Sequence, residues 1–489
     1  MAAIELANVT KLSEIAAGNS NFKKKIWSRK VQIDARTRNE FKALIGGEGS
    51  GKPICEKQDA KKMNGETVTF TTTRKMKGRG RFGEQSLLDH TNKFGFGTFQ
   101  VTVGMRRFAI SWNQLLKLLR LGSDNMTPEQ LEQELSTEWW ASTEEDDIQH
   151  VLLRTALLLS GGKNVIRANN RASQDDLTLS DTLTTGVIEL AQSKMLSQGG
   201  QALMLGKDTH TNGEIPQYVV FTPWETANPL NDDPKWREVV TRADSRGGRN
   251  AYFTGGMPLW NNMLIHRHNV VIDTGDGRLG SPLQPEAFLG VAIADNAATT
   301  ITGGGAYNTA GTNTDVAIND YFANFPGYFW NTYEGEVAPV DNNTYYAIIY
   351  NPDGTYEGIS YTAADIDGNT ITDVTREVAT ILPTGHARYS AAHPSEARII
   401  PCTKNGVPLG RALVMGSDAL YLAKGAVDAR RIRDGRDFMD DDGDFYNKAA
   451  GIMGIRGYTS PKDTIGRYPN FCLIEMAREI PGVDLVDMS

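Results

Sequence analysis

Four places in this 489-residue chain hold residue types whose spacing invites a chemical reading. Gly46-Gly47-Glu48-Gly49-Ser50-Gly51-Lys52 has the Gly-x4-Gly-Lys spacing of a loop that cradles phosphates with backbone amides. Pro53 follows, where a hydroxyl should hold magnesium, and Ile54-Cys55-Glu56-Lys57 is a poor start for the helix such a cradle needs. Nucleotide binding by an enzyme using Gly46–Lys52 is the alternative; a glycine hinge is preferred. Gly78-Arg79-Gly80-Arg81-Phe82-Gly83 matches a dinucleotide fingerprint literally. Its context fails, because Glu84 to Asn92 is a poor helix and Val103 stands near where an acid should hold a ribose. Asp440-Asp441-Asp442-Gly443-Asp444 looks like part of a calcium loop, but its frame puts Phe438 and Ala449 at ligand positions. His266 and His268 would share one face of a strand, with no third ligand nearby. No GxSxG or HExxH stands in the chain, so no nucleophile meets a base. The expectation is no enzyme, no cofactor and no metal.

The elements around these residues mix strand and helix. Residues 66–73 alternate and are rich in Thr, Val and Phe, and Phe99 to Met105 alternate again, so both read as strands. About 25 polar and glycine-rich residues separate them, a projection that buries little in a monomer and wants a neighbour. Thr127-Pro128-Glu129-Gln130 reads as a helix start, with Leu131, Leu135 and Trp139 on one face. A second helical pattern runs from Thr143 to Ser160 and stops at Gly161-Gly162. Further helices are predicted over Leu183–Gln198, Lys235–Arg242 and Arg411–Ala423. Strands are predicted at Tyr218–Phe221, Met263–Ile265, Val270–Ile272, Tyr446–Arg456 and Asn470–Ala477. No βαβ period appears, so the class is α+β.

Charge is uneven. The chain carries −8 overall, with 51 Lys+Arg against 59 Asp+Glu. Residues 1–110 hold roughly +11, so the remainder holds about −19. The basic residues concentrate in Phe22–Lys30 and Arg74–Arg81, runs suited to phosphates or acidic neighbours. Cys55, Cys402 and Cys472 are far apart and read as scattered reduced thiols. No apolar run reaches the roughly 18 residues of a membrane span. The first residues lack a basic-then-apolar leader, so the protein is expected to be made and used in a cytoplasm.

Three blocks carry a family resemblance. Gly65 to Leu87, then Phe96 to Ile110, resembles the extended loop of one branch of tailed-bacteriophage major capsid proteins, through Gly65, Thr67, Val68, Phe70, Gly78, Gly80, Gly83 and Arg107. Tyr218 to Pro223, Asp233 to Trp236, Arg249 to Gly256 and Leu264-Ile265-His266 form a second block. Arg411 to Gly416 resembles a helix start of the family. Ala251 departs from the usual Pro, and the loop lacks an acidic run after its tip.

The resemblance implies the shell-forming fold shared with herpesvirus capsid floors and encapsulins. On it, residues 1–62 are an N-terminal arm and 63–112 an extended β-hairpin loop. Residues 113–184 are a peripheral domain with a spine helix, 185–294 and 386–430 an axial domain, and 431–489 peripheral strands. The implied function is self-assembly into hexamers, pentamers and an icosahedral shell around double-stranded DNA, built in a bacterial cytoplasm with portal and scaffold proteins. An encapsulin-like compartment is the alternative within the same fold. Arg74, Lys75, Lys77, Arg79 and Arg81 at the loop tip are expected to meet acidic surface on a neighbour. Lys23, Lys24, Lys25, Arg29 and Lys30 are expected to face DNA. Residues 295–385, which the resemblance skips, are expected to be an inserted β-rich domain on the outer surface. They carry no lysine, one arginine (Arg376) and about 12 acids. Their aromatics, including Phe325, Tyr328, Phe329 and Trp330, are expected to form a small core.

Overall fold

The computed structural model describes residues 40–57, 67–73, 96–113, 140, 143–207, 214–238, 259–268, 281–289, 292–293, 301–302, 329–331, 335–337, 344–365, 370–395, 397–432, 447–463, 466–480, 483 and 485. Its class is α+β, organised on three main sheets.

A seven-stranded central sheet runs in the order Val165–Arg167, Phe471–Ala477, Leu409–Met415, Glu214–Pro223, Met263–His268 and Leu259–Trp260, with Leu203–Lys207 also paired to Glu214–Pro223. Both of its faces are buried. Along Phe471–Ala477, Cys472, Ile474 and Met476 join one core with Val187, Ile188, Ala191 and Met195 of helix Thr185–Gln198. Phe471 and Leu473 point the other way, into a core with Ile148, Leu152, Leu153 and Ala156. A strand buried on both faces has no reason to alternate apolar with polar. That is why the predicted helix over Arg411–Ala423 is wrong. The segment is strand Leu409–Met415, buried at every position, then strand Leu420–Ile432. Between them Gly416 lies so close to the Gln201 carbonyl that a Cβ would collide, and Asp418 takes φ 55°.

The helix over residues 143–154 continues as a π-helical turn, Thr155–Leu159. It stops where Gly161 and Gly162 take φ 60° and 73°, as Gly-Gly predicted. Helix Thr185–Gln198 receives its N-terminal cap from a distance, since Asp233 accepts the Thr185 N–H and hydroxyl at 2.7 Å each. Those bonds outweigh burial and hold the Asp233 carboxyl below its ordinary range. The helix predicted from Lys235 is present over residues 234–238, and its remainder lies outside the described residues, as do the segments around Thr127 and Val270.

The second sheet has five strands in the order Ile45–Gly47, Ile54–Lys57, Leu420–Ile432, Asn447–Thr459 and Gly104–Asn113. The third has four, Ala287–Phe288, Arg398–Cys402, Tyr345–Tyr350 and Tyr356–Tyr361. This β-rich sheet combines Tyr345–Tyr350 and Tyr356–Tyr361 with Ala287–Phe288 and Arg398–Cys402. The chain passes from the central to the five-stranded sheet at residues 416–419.

Candidate functional site

For a chain expected to assemble with copies of itself, the site is the extended hairpin and what anchors it. Strands Thr67–Thr73 and Phe96–Thr102 pair in register from Thr67↔Thr102 to Thr73↔Phe96. Alternation gives the ribbon two unlike faces. Val68, Phe70 and Val101 are buried, with Phe99 half-buried, against Cys55, Tyr421 and Ala423. Phe70 and Phe99 meet the Tyr421 ring edge-on, with centroids 4.8 and 4.6 Å away. Thr67, Thr69, Thr71, Thr98 and Gln100 on the opposite face are exposed. Where the return strand crosses the five-stranded sheet, a Cβ on Gly457 would strike the Thr102 carbonyl, so glycine lets the two backbones touch.

The return strand continues as Gly104–Asn113 and is tied to the 143–154 helix by charge. Arg106 donates to Asp147 Oδ1 at 2.7 Å. Arg456 lies over the Trp140 ring at 3.4 Å, donates to the Trp140 carbonyl at 2.8 Å, and stands 3.9 Å from Asp147 Oδ2. Lys424 bridges Glu144 at 2.8 Å and Glu56 at 3.2 Å, and His268 meets Glu145 at 3.2 Å. Burial pushes the Asp147 carboxyl up to about 6, against the pull of Arg106 and Arg456. The two arginines do not fully repay the loss of water around Asp147.

A second buried cluster holds the β-rich sheet. Glu357 takes Arg376 on both oxygens, at 2.8 Å for Nε to Oε1, with Nη2 on Oε2. It also accepts the Glu377 N–H at 2.8 Å and meets His393 Nε2 at 2.8 Å. His393 Nδ1 faces Asn351 Oδ1 at 2.8 Å. Burial raises the Glu357 carboxyl, but the bonds from His393, Arg376 and Glu377 outweigh it, so it lies below its ordinary range. Sequence reading missed both clusters, because each draws partners from distant segments. The one signal available was Arg376, the single cation in a long acidic stretch.

The residues singled out for chemistry are placed otherwise. Gly46–Lys52 joins two parallel strands, and a strand, Ile54–Lys57, follows it where a phosphate loop needs a helix. Lys52 donates to the Ile45 carbonyl at 3.0 Å, and Ser50 fills the space a Cβ on Gly46 would need. The loop is closed on its own side chains, which removes the physical basis for the nucleotide alternative. His266 and His268 do share a face, both stacked on Phe221, at 5.1 and 5.0 Å. Among the described residues no group of three or more His, Cys, Asp or Glu is placed to hold a metal, and no helix is long and apolar enough to cross a membrane. The three cysteines are buried, and burial pushes Cys55 and Cys472 up to about 12 and Cys402 well above its ordinary value. Lys23, Lys24, Lys25, Arg29, Lys30, Arg74, Lys75, Lys77, Arg79 and Arg81 lie outside the described residues, as do the 78–83 and 440–444 motifs.

The hairpin, the helix over residues 143–154, the central sheet buried on both faces and the β-rich sheet make up an α+β fold that solved phage capsids share. The chain is similar to the capsid asymmetric unit of cyanophage Pam1, at 11% identity, covering 94% of this chain and 98% of that one, with TM-score 0.52. It is similar to the capsid of Ralstonia phage GP4, at 14% identity, 96% and 98% coverage and TM-score 0.51. It is also similar to the acidic stable capsid of Helicobacter pylori bacteriophage KHP30, at 10% identity, 96% and 98% coverage and TM-score 0.50. At such identities the likeness establishes the fold. Membership rests on sequence: the family described as phage capsid protein matches residues 15–281, more than half the chain, and the chain belongs to it. It is a phage major capsid protein, a structural subunit that forms the oligomeric shell of the virion. No curated protein matches it.

Proposed function

We propose that this shell encloses double-stranded DNA without sequence preference and that the subunit carries out no catalysis. The observation that supports this reading is the charge split, roughly +11 in residues 1–110 against about −19 in the rest. In the proposed arrangement Lys23, Lys24, Lys25, Arg29 and Lys30 neutralise phosphates on the inside. Arg74, Lys75, Lys77, Arg79 and Arg81 meet acidic surface of an adjacent subunit in hexamers and pentamers. Residues 295–385 stand on the outside, where their acidity is not opposed by packaged DNA. Assembly takes place in the host bacterial cytoplasm, with separate portal and scaffold proteins. The test is what purified particles contain and expose. Nuclease-resistant DNA inside, and a 22–30 segment that protease reaches only after disruption, are the expected results. A single enclosed enzyme would favour the compartment alternative, and cleavage at 22–30 on intact particles would remove the interior assignment.

A further inference from the structure

Beside the β-rich sheet, hydrogen bonds form one chain whose direction is fixed at both ends. Asn351 Nδ2 stands 3.2 Å from the Ala392 carbonyl and 2.9 Å from Thr355 Oγ1. A carbonyl only accepts, so that position belongs to the amide nitrogen and leaves Oδ1 on the other side. Thr355 gives its hydroxyl proton to Asp353 Oδ1 at 2.6 Å, so its oxygen accepts from Asn351. Asn351 Oδ1 therefore faces His393 Nδ1 at 2.8 Å as an acceptor, and Nδ1 carries a hydrogen. On the far side of the ring, Nε2 stands 2.8 Å from Glu357 Oε2. Glu357 already receives Arg376 Nε and the Glu377 N–H on Oε1, and Arg376 Nη2 on Oε2. Three donors on one carboxyl select its ionised form, so Nε2 carries a hydrogen as well. A neutral imidazole has one N–H and would aim a lone pair at an acceptor at one end. The His393 and Glu357 side chains are fully buried, so solvent does not relieve that mismatch.

We propose that His393 is held as the imidazolium and that its second ring hydrogen is a pH-sensitive latch on the β-rich sheet. The inference is independent of the DNA and loop-tip assignments. Charged and titratable groups face the ring from each segment packed on it. Asp353 lies behind Thr355 in the turn after Asn351, Glu357 is on strand Tyr356–Tyr361, and Arg376 and Glu377 follow. Tyr389 donates to Glu377 Oε1 at 3.0 Å, and burial with that bond pushes its hydroxyl up to about 12, so it stays neutral. With His393 charged, Arg376 and His393 balance Glu357 and Glu377. The ring also stands at a crossing. His393 exchanges two backbone bonds with Ile293, at 2.8 Å each, while its side chain reaches Asn351 and Glu357. Loss of hydrogen from Nε2 sets a lone pair against the Glu357 carboxylate and loosens this crossing. The folded chain thus binds a proton that the unfolded chain releases. Its stabilisation is full in mild acid and is lost as the pH rises.

Two measurements test this. Ala392-His393 is the one Ala-His pair in the chain, which has seven histidines. Alanine labelled at the carbonyl carbon, with histidine labelled throughout, therefore singles out His393 in solid-state NMR of unmodified shells. At about pH 8 an ordinary histidine is neutral, yet this ring should carry hydrogen on both nitrogens. A bare ring nitrogen at that pH would overturn the proposal. The second measurement is urea unfolding of dissociated chains between about pH 6 and 9. It compares the unmodified chain with His393→Gln, which keeps a donor and an acceptor without the charge. The unfolding constant of the unmodified chain should rise about tenfold or more relative to the variant's across that range. A constant ratio would overturn the latch, even with both hydrogens in place. If His393→Gln does not fold, the spectrum of unmodified shells decides between the two outcomes by itself.

Discussion

Asp147 and Glu357 are both buried carboxylates paired with arginine, yet the protein moves them in opposite directions. Asp147 has one direct arginine bond, at 2.7 Å, and a second guanidinium left at 3.9 Å. Glu357 has both arginine bonds, a histidine and a backbone N–H. Burial raises Asp147 to about 6 while Glu357 falls below its ordinary range. The difference teaches that nearby charge does not by itself compensate desolvation. Hydrogen bonds to each oxygen do. The β-rich sheet is therefore locked by a satisfied hydrogen-bonded cluster, while the 143–154 helix keeps a proton-sensitive joint to strand Gly104–Asn113.

The comparison breaks most visibly at Arg376. Arg376→Ala removes both arginine bonds from a carboxylate with no access to water, at a cost of about 3–5 kcal/mol. Denaturant unfolding of dissociated subunits should show that loss, and trypsin should cut after Arg388 much faster. An unchanged midpoint would mean the cluster is not the lock. On the hairpin side, Tyr421→Ala should cost about 3 kcal/mol, because the ring packs against both Phe70 and Phe99. Exchange should quicken across 67–73 and 96–102 but not in strand Phe471–Ala477.

Acid sharpens the contrast further. Asp147 is raised from 3.8 to about 6, so the folded state holds a proton that the unfolded chain releases. Its contribution is fully present below about pH 4 and is lost as pH rises through 6, up to roughly 3 kcal/mol in all. Glu357, depressed, contributes stability above the ordinary glutamate range that is lost as pH falls through its folded value. Relative to Asp147→Asn, the unmodified subunit should gain stability between pH 6 and 4. Relative to Glu357→Gln it should lose stability below pH 4.5. Parallel pH profiles for either pair would contradict the assignment. The smallest effect is expected outside both clusters. Arg79→Glu with Arg81→Glu should leave the subunit midpoint within about 1 kcal/mol, since exposed pairs are worth about 0–1 kcal/mol each. Shell yield should nonetheless drop in light scattering, and normal yield would remove the loop-tip contact.

Local pattern by itself determined a good part of this protein. Alternation in Thr67–Thr73, the Gly161-Gly162 stop and the helix ending near Gln198 are written in neighbouring residues. So is the family, through blocks of sequence that a fold must preserve locally. Tertiary structure alone decided the rest. Arg-Ala-Leu-Val-Met reads equally as helix or buried strand, and only the sheets and helices packed on both faces make it a strand. The helix cap of Thr185 comes from Asp233, 48 residues away. The partners of Asp147 come from strands at 106 and 456, and those of Glu357 from 376, 377 and 393. Carboxylates in such clusters look like any surface acid in the sequence. Their burial, and hence their energies, exist only once the chain has brought distant segments together and expelled the water between them.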